Sequence, residues 1–183
     1  MELSENKMKI VGKKVILTKA TESDIEFLCR IESDKTLWIY EEDVAENDEK
    51  LREKFKARVN GDKCYDFIVT IKEDNLQNPI GFVSAWKYAD WRKSWEVGYS
   101  ILPQYQNRGY GAESLKLLLE FVFKELKAHK AVGMCNIENI ASAKMMSECG
   151  MRLEGIFKEE LDWNGKWTDQ QFFSMLESEY KIN

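Results

Sequence analysis

The chain has 183 residues, 44% hydrophobic and 32% charged, with 32 acidic against 27 Lys and Arg side chains and a formal net charge of −5. That length and apolar content suit one domain, residues 1–183, with a sizeable core, and exclude a disordered chain. The acidic balance argues against a general nucleic-acid coat, which needs a cationic surface, but leaves room for a basic pocket inside an acidic shell.

The chain opens Met1-Glu2-Leu3-Ser4-Glu5, with neither the basic start nor the apolar run of a signal peptide. Its longest apolar stretches, such as Leu117 to Leu119, are far too short to cross a bilayer. The expectation is a cytoplasmic protein with no membrane partner and no direct nucleic-acid partner. Lys13 to Lys19 alternates as a first strand, and Thr21 to Ser23 signals a helix start for Asp24 to Ile31. Glu46 to Val59 reads as a second helix. Tyr65 to Ile71 and Ile80 to Tyr88 read as strands around a turn at Asn75 to Asn78. Trp95 to Leu102 is the next strand, ended by Pro103, which has no amide hydrogen for a central ladder.

At Gly111 the period changes. Leu115, Leu118, Leu119, Val122 and Leu126 form the apolar stripe of an amphipathic helix running to Lys127, with Lys116, Glu120 and Lys124 opposite. Ala131 to Ile137 reads as a strand, and Ala141 to Cys149 as a short helix stopped by Gly150. Two further strands, Leu153 to Trp163 and Thr168 to Glu177, meet at Asn164-Gly165, a strong hairpin dipeptide. The pattern predicts an α/β protein with a mixed sheet and helices on both faces.

Four cysteines (Cys29, Cys64, Cys135, Cys149) show no CxxC pair and no metal-ligand spacing, and are read as buried free thiols. The single histidine, His129, sits among lysines beyond a helical pattern and reads as a surface residue. Metal and Ser-His-Asp chemistry are therefore poor readings, and no metal is expected.

The informative stretch is Trp95 to Gly111, WEVGYSILPQYQNRGYG, which runs directly into the long helix. Strand, loop, glycines and helix place the amides of Gly109, Tyr110, Gly111 and Ala112 at a helix N-terminus. Unpaired donors and the positive end of the helix dipole suit a phosphate or pyrophosphate there. Glycines 109 and 111 carry no Cβ to hold an anion off, and Arg108 adds a charged donor. The loop lacks the Gly-Lys-Ser/Thr ending of a P-loop and the third glycine of a dinucleotide fingerprint. A lone Gln-x-x-Gly-x-Gly arises by chance in roughly one chain in ten or twenty at average glycine usage. Its place after a strand bearing Glu96 and before the best helix raises it above that.

Four ordered blocks extend the signal. Gln106-Asn107-Arg108-Gly109-Tyr110-Gly111 resembles the Gln/Arg-x-x-Gly-x-Gly/Ala acyl-CoA loop of the GNAT N-acetyltransferases. Asn139-Ile140-Ala141-Ser142 with Cys149-Gly150-Met151 resembles that family's Asn-x-x-Ser … Gly-Phe segment, Met151 replacing the aromatic. Leu153-Glu154-Gly155 and Asn164-Gly165-Lys166-Trp167-Thr168-Asp169 complete the set. The run from Glu96 into the loop is similar to the branch that acetylates ribosomal-protein N-termini and, in relatives, polyamines.

The resemblance implies the GNAT fold, a mostly antiparallel sheet of about seven strands. In it the strands Trp95 to Leu102 and Ala131 to Ile137 splay apart at their C-terminal ends. The pantetheine arm of acetyl-CoA would lie in the opening against the backbone of Tyr99 and Ile101, whose amides would also face the oxyanion. The pyrophosphate would rest on Arg108 to Ala112, with Gln106 in the motif, Asn139 on the pantetheine and Lys144 toward the ribose phosphate. An amine would attack the thioester directly in a ternary complex.

Glu96 is the candidate base, on the strand face with Gly98 and Ser100 and opposite Trp95, Val97, Tyr99 and Ile101; a solvent-facing edge carboxylate or an ion pair is the alternative. Many members carry a tyrosine as general acid where this chain has Met146, so the role falls to Ser142, another tyrosine, water or nothing. Cys135 is expected to be a small core residue rather than an acyl carrier. For the acceptor, Trp38, Tyr40 and Trp86, with Tyr88 and Trp91, accompany six acids in ten residues: Glu41, Glu42, Asp43, Glu46, Asp48 and Glu49. Acids with aromatics suit a cationic amine such as a protein N-terminus or polyamine, while a solvated helix flank is the plainer reading. An aminoglycoside-like acceptor and a non-catalytic acyl-CoA-binding module remain alternatives, and the chain is expected to be a monomer or homodimer.

Overall fold

The structure is a computed structural model and describes residues 8–180, so the reading of Met1 to Glu5 lies outside the described residues. In chain order the strands and helices are β1 (Lys9–Val11), β2 (Val15–Lys19), α1 (Ile25–Glu32), α2 (Glu49–Val59), β3 (Cys64–Ile71), β4 (Pro79–Ala89), β5 (Ser94–Ile101), α3 (Tyr110–Lys124), β6 (Lys130–Asn136), α4 (Ile140–Glu148), β7 (Arg152–Trp163) and β8 (Lys166–Leu176). The strands form one sheet of eight, ordered β1-β2-β3-β4-β5-β6-β8-β7. Only β5 and β6 run parallel, because the crossover between them carries α3. This is the mixed, mostly antiparallel sheet that the sequence predicts, with one strand more. β1 is three residues long, too short to display alternation, and is held by its register against β2.

Local chemistry sets the element ends. The Asp48 carboxylate accepts a hydrogen bond from the Leu51 amide at 2.9 Å, so α2 begins three residues later than its charge pattern implies. Thr21 opens a 3-10 turn (Glu22–Asp24) whose Asp24 carboxylate accepts from the Thr21 amide, and α1 follows. Gly109 adopts φ +81° as the residue before α3, and Gly150 takes φ +91° after α4. Asn164 and Gly165, both at positive φ, form the tight β7–β8 turn.

Helices cover both faces of part of the sheet. On one, Leu115, Leu118, Leu119 and Val122 of α3 and Met146 of α4 pack on Val15, Leu17, Phe67, Val69, Val83 and Val97. On the other, Leu28, Cys29 and Ile31 of α1 and Leu51 and Phe55 of α2 pack on Ile68 and Phe82. All four cysteines are free and buried.

One buried charge ties α2 to the sheet. Asp66, 3% exposed, receives Arg58 through both guanidinium arms, Nε at 2.9 Å and Nη2 at 2.5 Å, and also accepts from the Ser84 hydroxyl. Removing one member of a buried pair strands the other charge. Arg58→Met should lower unfolding free energy by about 3–5 kcal/mol, the usual scale for breaking such a pair. Urea denaturation would show it as a fall in midpoint at constant m-value.

Candidate active site

The site begins where a ladder stops. β5 and β6 pair only at Ser94–Lys130, Trp95–Ala131 and Glu96–Val132, although β5 continues to Ile101 and β6 to Asn136. Carried on, the register would set Tyr99 opposite Cys135. Instead α4 packs over that region. Met146 lies against Gly133, where an added Cβ would come within 2.7 Å of its Sδ, and Val97 borders the same space. The expected splayed pair is present, and beyond Glu96 the β6-facing edge of β5 has no strand partner among the described residues.

The β5–α3 loop lies at the end of the same strand. Among the described residues, no amide from Asn107 to Ala112 donates to a backbone carbonyl; the first helical bond runs from Glu113 N to the Gly109 carbonyl. Six donors therefore surround the positive end of α3, a cradle that fits a diphosphate. Asn107 (φ +58°) and Gly109 produce the reversal. Gln106 has a scaffold duty: its Nε2 donates to the Ile101 carbonyl at 2.8 Å and closes the strand end. Gly111 too differs from the expectation of clearing room for an anion, since a Cβ there would meet Met145 Sδ at 3.1 Å; its smallness lets α4 approach α3.

The loop also holds a cation that sequence reasoning missed. Lys14 Nζ donates to the Arg108 carbonyl at 3.1 Å and lies 3.2 Å from where a Cβ on Gly109 would stand. Glu113, in the first turn of α3, accepts from the Lys14 amide at 2.8 Å and fixes the β1–β2 turn against the helix. Lys14 is 94 residues from Arg108, and no local pattern links them.

Glu96 lies on the opposite sheet face from Tyr99, half-buried beside its cross-strand partner Trp86. The Trp86 indole Nε1 donates to Glu96 Oε2 at 3.0 Å, and the ring covers Gly98, where a Cβ would come within 2.9 Å of it. Burial pushes the Glu96 carboxyl up to about 7; the Trp86 hydrogen bond opposes that rise and the charge of Glu41 adds to it. The Glu41 side chain is accessible to solvent yet crowded by protein, and desolvation with the charges of Glu32 and Glu42 raises its pKa as well.

The six acids divide their tasks. Asp48 caps α2 and Glu42 accepts from the Asp162 amide at 2.8 Å, so Glu41 is the member that acts on Glu96. Trp38 is anchored within the α1–α2 core, donating to the Ile31 carbonyl and packing on Phe82. Tyr40 packs against Trp163 in a tilted pair, ring centroids 5.9 Å apart, and its carbonyl receives Asn136 Nδ2 from the end of β6. The segment around Glu41 is thereby laid across the mouth of the site. Tyr88 packs against Phe172, ring centroids 6.1 Å apart, and Trp91 is 83% exposed.

On α4, Asn139 Oδ1 accepts from the Ser142 amide at 3.1 Å, so that side chain caps the helix. The Ser142 hydroxyl meets the Tyr99 hydroxyl at 2.8 Å. Lys144 is exposed and paired with Glu148 one turn on. Met146 is 1% exposed, and Cys135 is a buried thiol raised to about 11 by desolvation. Among the described residues, no cluster of His, Cys, Asp or Glu could hold a metal, and no helix is long and apolar enough to cross a membrane.

Comparison with known proteins matches this geometry. The model of the acetyltransferase (GNAT) domain fits residues 14–152. The protein named uncharacterized N-acetyltransferase YnaD of Bacillus subtilis (strain 168) is 30% identical over 175 residues, 94% of this chain and 99% of its own. A solved acetyltransferase (GNAT family) from Bacillus anthracis superposes with a TM-score of 0.79 at 27% identity, over 93% of this chain and 99% of that one. Spermidine N-acetyltransferase from Vibrio cholerae, solved in complex with CoA and spermine, gives a TM-score of 0.82 at 25% identity, over 92% and 99%. With an interrupted parallel ladder, an open amide loop before α3 and this family match in agreement, the chain belongs to the GNAT acetyltransferases.

Proposed function

We propose that this acetyl-CoA-dependent N-acetyltransferase acts on a cationic primary amine of the polyamine class, by direct attack on the thioester. The observation that carries the reading is the placement of Glu96: an acid with no cationic partner among the described residues, beside the open edge of β5 and near the charge of Glu41. Spermine in the Vibrio cholerae relative supports the same acceptor class. A protein N-terminus is the second amine that such a site would accept, since it too arrives as an ammonium ion.

Each group then has a task. The amides of residues 107–112, with Arg108 and Lys14, hold the donor's diphosphate. Trp86 and Glu41 draw the ammonium toward Glu96 by cation–π and charge attraction. Glu96 takes a proton from the ammonium, and the freed lone pair attacks the thioester carbon. Amides near Tyr99 and Ile101 face the oxyanion, and Ser142 faces the departing sulfur. As the C–S bond breaks its electron pair goes to sulfur. The second nitrogen proton goes to the thiolate through solvent, so one proton is released per turnover.

Thiol release from acetyl-CoA, measured against polyamines, peptides with free N-termini and aminoglycosides, tests the assignment. Spermidine-like amines should give the highest kcat/KM; no thiol release with any amine defeats the reading. Glu96→Gln should lower kcat about 10²–10⁴-fold, the range for a positioned general base. In the wild type, kcat should rise with pH to half its plateau near pH 7 as Glu96 ionises, and the Gln variant should lack that limb. Calorimetry should find CoA bound roughly tenfold more weakly by Lys14→Ala, the scale of one charge-assisted hydrogen bond.

A further inference from the structure

We infer that Tyr99 is a positioning residue for the leaving group: its hydroxyl holds the Ser142 hydroxyl toward the gap between β5 and β6, where the thioester sulfur departs. This rests on the acetyltransferase reading and deepens it. The family tyrosine position is Met146 here, wholly buried against Gly133, so it has neither a proton to offer nor access to the gap.

Three observations converge on the pair. Tyr99 is three residues beyond the last β5–β6 pair, at the register position opposite Cys135, so it stands beside the opening with its hydroxyl on α4. Both Ser142 oxygens lie within reach of the one phenolic proton, Oγ at 2.8 Å and the carbonyl at 3.3 Å. Ser142 is meanwhile held by its amide to Asn139. A serine in the first turn of a helix ordinarily rotates its hydroxyl toward a local backbone acceptor. The contact with the Tyr99 hydroxyl removes that freedom, whichever of the two oxygens donates, and fixes where the serine hydroxyl stands. A thiolate in the gap is an acceptor with a full charge, and hydrogen bonds to charged groups are the stronger kind. No net proton passes through the pair. Ser142 donates a hydrogen bond as the electron pair moves to sulfur, and Tyr99 keeps it aimed.

The test uses CoA itself as probe. Wild type, Tyr99→Phe, Ser142→Ala and the double variant are saturated with CoA, and the bound thiol is titrated by thiolate absorbance against protein alone. Burial raises the chain's own thiols as well, Cys29 among them, with Cys135 and Cys149 at about 11 and Cys64 at about 12, and the titration of protein alone is subtracted as the blank. The bound thiol should titrate about one pH unit higher in each single variant, a tenfold change in ionisation. The double variant should match Ser142→Ala, because both changes remove one device. With an amine acceptor, Tyr99→Phe should lower kcat about tenfold while KM for both substrates stays constant, and Ser142→Thr should restore most of what Ser142→Ala loses. An unchanged thiol titration in Tyr99→Phe, or single-variant effects that multiply in the double variant, overturns the inference. A wild type that does not bind CoA defeats the acetyltransferase reading instead, and that result is read before any variant is made.

Discussion

The chemistry of this protein depends on a parallel ladder that stops after three pairs. A buried strand normally satisfies its backbone on both sides. Here β5 keeps β4 along its length and loses β6 beyond Glu96. The separation is built from side chains: Met146 takes the space above Gly133, and Ser142 meets Tyr99 where Cys135 would have been its neighbour. The open edge, the carboxylate at the last pair and the amide loop that follows the strand therefore lie along one stretch of chain, with α4 packed over the gap.

Two acids on one sheet face show how environment assigns roles. Asp66 and Glu96 both project toward the α1–α2 side, on strands separated by β4. Asp66 has Arg58 and Ser84, so its charge is compensated and its work is to fasten α2. Glu96 is desolvated by burial and sits near a like charge, with a single indole N–H opposing them, so it keeps its proton up to about pH 7. An acid that tethers and an acid that exchanges protons differ in their partners, not in residue type.

Much of this was legible beforehand. The alternation of Trp95 to Leu102 places Glu96 opposite the apolar residues, and the stripe from Leu115 to Leu126 marks α3 because helical period is a local property. Asn164-Gly165 marks its hairpin for the same reason. Motif matching proved less informative about duties. Gln106 and Asn139 occupy motif positions yet close a strand end and cap a helix, and Lys144 pairs along its own helix. A motif records which residue types recur, whereas the hydrogen bonds those residues make depend on what the chain brings beside them.

The sequence by itself determined the periods, the breaks and the glycine-bearing loop, since these follow from backbone geometry within a few residues. Only the tertiary structure decided which side chains meet: Trp86 with Glu96, Tyr99 with Ser142, Lys14 with the α3 loop, and Glu41 alone among six acids with the carboxyl it perturbs. Such meetings depend on register across strands and on the angle at which a helix docks. Those are set by the summed packing of the whole core, and no short stretch of chain encodes them.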